Sequence, residues 1–149
     1  LVFSQFVQFL DIIAACLDEH GIDYFMITGS TPKRQRIQLV NEFNEDDTPV
    51  FLVSLKAGGT GLNLTGASVV IHSDPWWNLA AENQATDRAH RIGQKRAVSV
   101  YKVIAKDTIE ERVVALQHAK SKLADKLVRG DGTPLASLTR DELLQLLER

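Results

Sequence analysis

Val50, Phe51, Leu52 and Val53 follow one another with no polar residue between them. A strand with one face in water alternates apolar and polar residues, so an unbroken run of strand length predicts burial on both faces. That points to a parallel sheet with helices above and below it. Comparable short runs recur at Leu1–Ser4, Tyr24–Ile27, Ser68–His72 and Val98–Ala105.

Helical patterns lie between these runs. From Phe6 to His20, the residues Phe6, Phe9, Leu10, Ile13, Ala14 and Leu17 recur at helical spacing, and Gly21 stops them. Thr31 reads as the N-cap of a second helix with Pro32 at its first position, carrying Ile37, Val40 and Phe43 inward. A third spans Leu79 to Ile92, closed by Gly93. Thr108 and Glu111 form a capping box for a long helix to Val128, with Ile109, Val113, Leu116, Leu123 and Leu127 on one face. Gly130–Pro134 breaks the pattern, and Thr139 with Glu142 opens a short last helix. Strands alternating with helices predict an α/β fold, its sheet covered on both faces by right-handed crossovers.

Composition bounds the function. The chain has 149 residues, 44% apolar and 24% charged, as soluble globular domains do. Its apolar runs are far shorter than the 18 or so residues of a membrane span, so no membrane partner is expected. A net charge of −2 gives no overall basic footprint, so any nucleic-acid contact must rest on a local patch. Cys16 is the single cysteine and is expected to be a buried thiol in a reducing compartment. His72 and His90 lack partners at ligand spacing, so no metal site is expected. The chain opens inside a strand-like run with no signal peptide in view, which predicts a fragment of something longer.

Four stretches carry candidate chemistry. On a helix from Leu79 to Ile92, Gln84, Arg88 and Arg91 fall at i, i+4 and i+7 and share a face. A guanidinium stays charged at any working pH and matches phosphate oxygens two at a time. Asp87 stands four residues before Arg91, where it could steady it. The plainer reading is a solvated helix with local charge pairs, each contributing a few tenths of a kcal/mol. The strand Ser68–His72 leads straight into Asp74 and Pro75, however, and strand-to-helix junctions are where open α/β sheets hold ligands.

Gly58, Gly59, Thr60 and Gly61 follow a strand, yet they form no Walker A loop, because no Gly-Lys pair occurs in the chain. They form no dinucleotide fingerprint either, since Leu64 stands where a third glycine is needed. Chemistry alone leaves this loop structural or ligand-facing. Lys33, Arg34 and Arg36 crowd a helix start behind Thr28-Gly29-Ser30, where cations oppose the helix dipole unless an anion compensates; ordinary surface charge is the equal alternative. Asp18-Glu19-His20 spells part of a DExH box, but it ends an amphipathic helix and not a buried strand, so a catalytic role is rejected. Trp76 and Trp77 read as core in a generic domain.

Asp74-Pro75-Trp76-Trp77-Asn78 followed by Gln84, Asp87, Arg88, Arg91, Gly93 and Gln94 resembles the sixth motif of the SWI/SNF-type ATPases of helicase superfamily two. Lys56–Thr65 is similar to the fifth motif and Val2–Phe6 to the fourth. Leu79 departs from the proline usual after Asn78. The resemblance covers about residues 1–130 and implies the second RecA-like lobe of a double-stranded DNA translocase. In it, residues 108–128 form a brace helix running back toward a first lobe; beyond the resemblance, 131–149 are expected to form a helical tail.

By that resemblance Arg88 and Arg91 are arginine fingers, and Gly59, Gly61, Asn63 and Gln84 face the nucleotide. Ser4, Gln5, Gly29, Lys33, Arg36, Ser54, Lys56 and Trp77 face the DNA backbone. ATP and Mg²⁺ are held mainly by the first lobe, so this lobe alone is not expected to hydrolyse ATP. The implied setting is intracellular, in a bacterial cytoplasm or a nucleus. Two rivals stay open: a non-catalytic α/β interaction module whose arginines pair internally, and a lobe of an RNA or single-strand helicase.

Overall fold

A computed structural model describes residues 1–58 and 61–128. Five strands, β1 (Val2–Ser4), β2 (Tyr24–Ile27), β3 (Val50–Ser54), β4 (Val69–His72) and β5 (Ser99–Lys102), form one sheet in the order β2-β3-β1-β4-β5. All four pairings are parallel. The helices are α1 (Val7–Glu19), α2 (Lys33–Glu45), α3 (Leu55–Gly58), α4 (Leu79–Thr86) and α5 (Ile109–Val128). This is the RecA-like α/β architecture.

The unbroken apolar run is β3, with Phe51, Leu52 and Val53 fully buried. Its side chains alternate between two clusters. Leu52 packs with Leu10 and Ala14 of α1, while Phe51 and Val53 join Phe3, Ile27, Val40, Phe43, Leu64, Val70, Ala85 and Ala89. The path through the sheet explains the division. The chain leaves β1 toward β2, then runs back across β3 and β1 to β4 and β5, so right-handed crossovers put α1 on one face and α2 and α4 on the other. The neighbours β1 and β4 therefore lead away in opposite directions, which makes their carboxyl ends the switch point of the sheet.

Several expectations need correction. Ile37 is 54% exposed, and α2 buries Val40 and Phe43 with Leu39 partly buried beside them. Phe6 and Phe9 are exposed, leaving Leu10 and Ala14 as the buried residues of α1. Cys16 is an exposed thiol because it lies on the side of α1 away from Leu10 and Ala14. Pro32, not Thr31, is the N-cap residue of α2, and Thr31 Oγ1 instead accepts from the backbone N–H of Thr28 at 3.0 Å.

The chain divides into two compact units, Leu1–Val103 and Ile104–Arg149. In the second, Thr108 Oγ1 accepts from Glu110 N at 3.2 Å and the Glu111 carboxylate from Asp107 N at 3.3 Å, a capping box displaced by one residue. Val113 is buried and Ile109 exposed. The side chains of Leu123 and Leu127, the breaker at Gly130–Pro134 and the expected helical tail at 131–149 lie outside the described residues. Among the described residues no helix is long and apolar enough to cross a membrane.

Candidate nucleotide and nucleic-acid surface

At the switch point the ends of β1 and β4 are joined by Asp74, which is 4% exposed. Its Oδ1 accepts from the backbone N–H of Gln5 at 3.0 Å, and its Oδ2 accepts from Ser73 Oγ at 3.3 Å and from Ser4 Oγ. Ser4 Oγ accepts from Phe6 N at 3.0 Å. α1 has no side-chain cap and no acidic residue in its first turn. Asp74 thus brings the negative charge that this helix start lacks, from a different segment of chain. The expectation that Ser4 faces DNA is corrected, because its hydroxyl is fully buried in this network. Gln5 is half-buried, its Nε2 donating to Pro75 O at 3.4 Å.

Ser54 is also buried, its Oγ accepting from Ala57 N at 3.3 Å at the start of α3, so its hydroxyl is not exposed as expected for a DNA contact. Lys56 on α3 is exposed. Arg36 differs from expectation as well. Its Nε donates to Thr31 O at 2.7 Å, and its Nη2 to Thr28 O at 3.2 Å and Gly29 O at 2.9 Å. The guanidinium holds its own loop together, while Gly29 and Lys33 are the exposed groups there. Trp77 is 51% exposed beyond the end of β4, not core. Below it, Glu82 Oε1 accepts from Trp76 N at 2.6 Å and Oε2 pairs with Lys102. Asn78 Oδ1 caps α4 by accepting from Ala80 N and Ala81 N.

The arginine segment departs from the single helix expected. α4 ends at Thr86, and Arg88, Ala89 and Gln94 follow in tight turns. Beyond Thr86 the turns tighten, Arg88 N donating to Ala85 O at 3.1 Å and Ala89 N to Thr86 O at 3.0 Å, while Arg88 O accepts from Leu64 N at 2.9 Å and Ala89 O from Gln94 Nε2 at 3.1 Å. Gln84 is exposed on α4. Arg88 is 3% exposed, its Nε without a hydrogen-bond partner among the described residues. Arg91 is exposed, its Nη1 donating to Gly61 O at 3.3 Å. The expected Asp87 to Arg91 pair is not among the ion pairs of the described residues. Burial lowers the pKa of the Arg88 guanidinium from its ordinary value; neighbouring Arg91 adds to this and Asp87 opposes it.

The glycine loop faces this segment. Gly61 has φ +73°, a left-handed conformation that favours glycine, and Asn63 is exposed. Gly59 lies outside the described residues. Asn44 of α2 secures the loop from the other side, its Nδ2 donating to Asn63 O at 2.7 Å and its Oδ1 accepting from Gly66 N at 2.9 Å. Asn44, Glu82 and Gln94 were not legible as tying residues, because each has a decisive partner remote in the chain: Asn63 O, Lys102 and Ala67 O. Only the position of Gln94 behind Gly93 hinted at a turn.

Residues 1–93 match the helicase conserved C-terminal domain family. An uncharacterized ATP-dependent helicase of Mycoplasma pneumoniae is 50% identical over 99% of this chain and 14% of its own length. The DNA repair protein RAD5 of Mycosarcoma maydis is 41% identical over 99% of this chain and 11% of its own. The crystal structure of the C-terminal part of the Fun30 ATPase domain superposes with a TM-score of 0.75 at 42% identity, over 77% of this chain and 38% of that one. The chain thus spans a small part of the curated relatives it matches. It belongs to the helicase conserved C-terminal domain family, as the second RecA-like lobe of the SWI/SNF-type ATPases.

Proposed function

We propose that this lobe works in a two-lobed, ATP-driven translocase on double-stranded DNA, with Arg88 and Arg91 completing a nucleotide site whose other half is a first RecA-like lobe. The observation that carries the reading is the arginine pair. Arg91 stands on the surface at the glycine loop, and Arg88 is buried with an unsatisfied Nε and no ion pair among the described residues. A buried cation that makes no ion pair among the described residues is costly, and that cost is explained if a further negative charge arrives with a ligand.

Bound ATP with Mg²⁺ supplies a phosphoryl group on which negative charge must be stabilised during transfer. This chain's contribution is positional and electrostatic. Arg91 lies on a segment free to meet phosphate oxygens with its planar fork, and Arg88 adds positive potential from a low-dielectric position. Arginines in this role accelerate phosphoryl transfer elsewhere by roughly 10³ to 10⁵. Gly61, Asn63 and Gln84, all exposed, are the groups assigned to the nucleotide, together with Gly59 of the same loop. The phosphate-binding lysine and the metal-holding carboxylates belong to the first lobe, so the isolated lobe is inactive.

For DNA the supporting groups are Gln5, Gly29, Lys33, Lys56 and Trp77, at or beyond the carboxyl ends of the strands. Contacts there would be with the phosphate backbone and independent of base sequence. The long helix from Ile109 acts as a brace toward the first lobe, and the protein works inside the cell, in a bacterial cytoplasm or a nucleus.

The test is ATPase activity of the two-lobed protein with duplex DNA, single-stranded DNA and RNA. Duplex-length-dependent stimulation that Arg91→Ala abolishes, with ATP binding retained, is the expected result. Equal stimulation by RNA refutes the substrate assignment. Full activity in Arg88→Ala and Arg91→Ala together refutes the site.

A further inference from the structure

We propose that Gln94 is the positioning residue that sets Arg88 and Arg91 against the glycine loop. The proposal rests on the reading of those arginines as groups that meet a triphosphate. The two N–H groups of Gln94 Nε2 are shared among three carbonyls, Thr65 O at 3.1 Å and Ala67 O at 2.7 Å on the loop side and Ala89 O at 3.1 Å on the arginine side. Its Oε1 accepts from the backbone N–H of Arg96 at 2.9 Å. Three carbonyls at one end and an N–H at the other fix the amide's orientation, because a flipped amide would set oxygen against three oxygens.

The place of these bonds decides their consequence. Ala89 sits between the two arginines, and its carbonyl is the one to which Gly93 N–H would bond in a continued helix. Gln94 holds that carbonyl, and Gly93, at φ +107°, turns the chain so that Gln94 can reach back over it. The preceding carbonyl, of Arg88, is held by Leu64 N from the same loop. Had the helix run on, Arg88 and Arg91 would be three residues apart on one face and would move as a pair. Released from helical geometry, Arg88 is buried while Arg91 stays at the surface beside Gly61 O. The split between a buried and an exposed guanidinium goes with these ties to the loop, and Gln94 links the loop carbonyls of Thr65 and Ala67 to the Ala89 carbonyl through one side chain. A second tie, from Arg96 to Gly66 O, keeps the following residues on the same loop.

Gln94 touches neither nucleotide nor nucleic acid in this scheme, so its loss must appear in turnover and not in binding. Gln94→Glu keeps the shape but replaces the donors with oxygen. Gln94→Met keeps the length and removes all four hydrogen bonds. The experiment measures steady-state ATPase of the two-lobed protein at saturating duplex DNA for both variants and for Arg91→Ala, with thermal unfolding of each.

Both Gln94 variants are expected to lose about tenfold or more in kcat, with the KM for ATP within about twofold of the parent and with folded protein retained. A kcat within about twofold of the parent, while Arg91→Ala has lost its activity, overturns the role of Gln94 and leaves the arginine reading standing. So does a rise in KM alone. Arg91→Ala at the parental rate overturns the arginine reading and this proposal with it. If Gln94→Met and Gln94→Glu both fail to fold, Gln94→Asn, which keeps the amide one methylene short, takes their place in the comparison. Failure of that variant to fold overturns the positioning role in favour of a folding one.

Discussion

The Asp74 carboxylate accepts the backbone N–H of Gln5 at 3.0 Å, joining the end of β4 to the end of β1 across 69 residues of chain. The same carboxylate takes the Ser4 hydroxyl, so two donors at the start of α1 depend on one buried acid. Asp74→Ala leaves both without their acceptor and is expected to lower the unfolding free energy of this chain by about 2–3 kcal/mol. Asp74→Asn keeps an oxygen for Gln5 N, so it is expected to cost less than half as much. Denaturant titration of the two variants checks the order; equal losses would mean that charge at the helix start outweighs the hydrogen bonds.

Gly66 meets α2 with no room to spare. A Cβ there would stand 3.1 Å from Asn44 Oδ1, 3.1 Å from Phe43 O and 3.2 Å from Asn44 Cα, two of them atoms of a helix backbone that cannot easily retreat. Gly66→Ala is expected to destabilise by about 1–3 kcal/mol through this overpacking. It should also displace Asn44, which holds Asn63 O, and so loosen the glycine loop. Hydrogen exchange at residues 62–67 measures the second effect, and unchanged protection there would separate the two.

How far the sequence could be read depends on whether the deciding contact was local. The unbroken run Val50–Val53 announced a strand buried on both faces, and β3 is that strand because nothing beyond local polarity was needed to identify it. Helical spacing placed Val40 and Phe43 but misplaced Ile37, since a stripe of three positions leaves the rotation of α2 uncertain by one residue, and Leu39 fills the gap. The family motifs located Ser4 and Ser54 at strand ends without saying which way their hydroxyls turn; Asp74 and Ala57 decide that. Least legible was the end of α4. Its sequence continues a helical pattern through Ile92, whereas the chain tightens after Thr86, and Leu64 N and the Gln94 amide bind the carbonyls of Arg88 and Ala89 from outside that pattern.

His72 gives the stability a pH dependence whose sign is fixed by burial. Its ring stacks on Phe3 with centroids 5.6 Å apart, its Nε2 lies 2.9 Å from Thr86 Oγ1, and its Nδ1 has no partner among the described residues. Burial, the largest influence, pushes its pKa below the ordinary 6.5; Lys102 adds to this, while Glu82 and Asp74 oppose it. Folding therefore favours the neutral ring. As pH falls below about 6.5 the unfolded chain takes up a proton that the folded chain does not, and stability declines until the folded pKa is passed. Above that range His72 contributes no slope. The melting temperature is thus expected to fall between pH 7 and pH 5.5, and His72→Phe, which keeps a ring over Phe3, is expected to flatten that part of the profile. An unaltered slope in His72→Phe would assign the dependence to other groups.

Arg88 offers the sharpest separation between a motor lobe and an interaction module, because the two readings predict opposite effects of removing it. A structural arginine held in an internal pair loses several kcal/mol on replacement, since its partner is left buried and charged. Arg88 has no such pair among the described residues, and its Nε is buried without a partner. Replacing a buried cation that makes no ion pair among the described residues with an apolar side chain of similar length is then neutral or favourable. Arg88→Met is expected to leave the unfolding free energy of this chain unchanged or raise it by up to about 2 kcal/mol. In the two-lobed protein the same change is expected to lower DNA-stimulated ATP turnover by about 100-fold or more. Stability gained with activity lost is the signature of a charge kept for a ligand. Stability lost with activity kept would mean that Arg88 serves the fold, and the interaction-module reading would then be the better one.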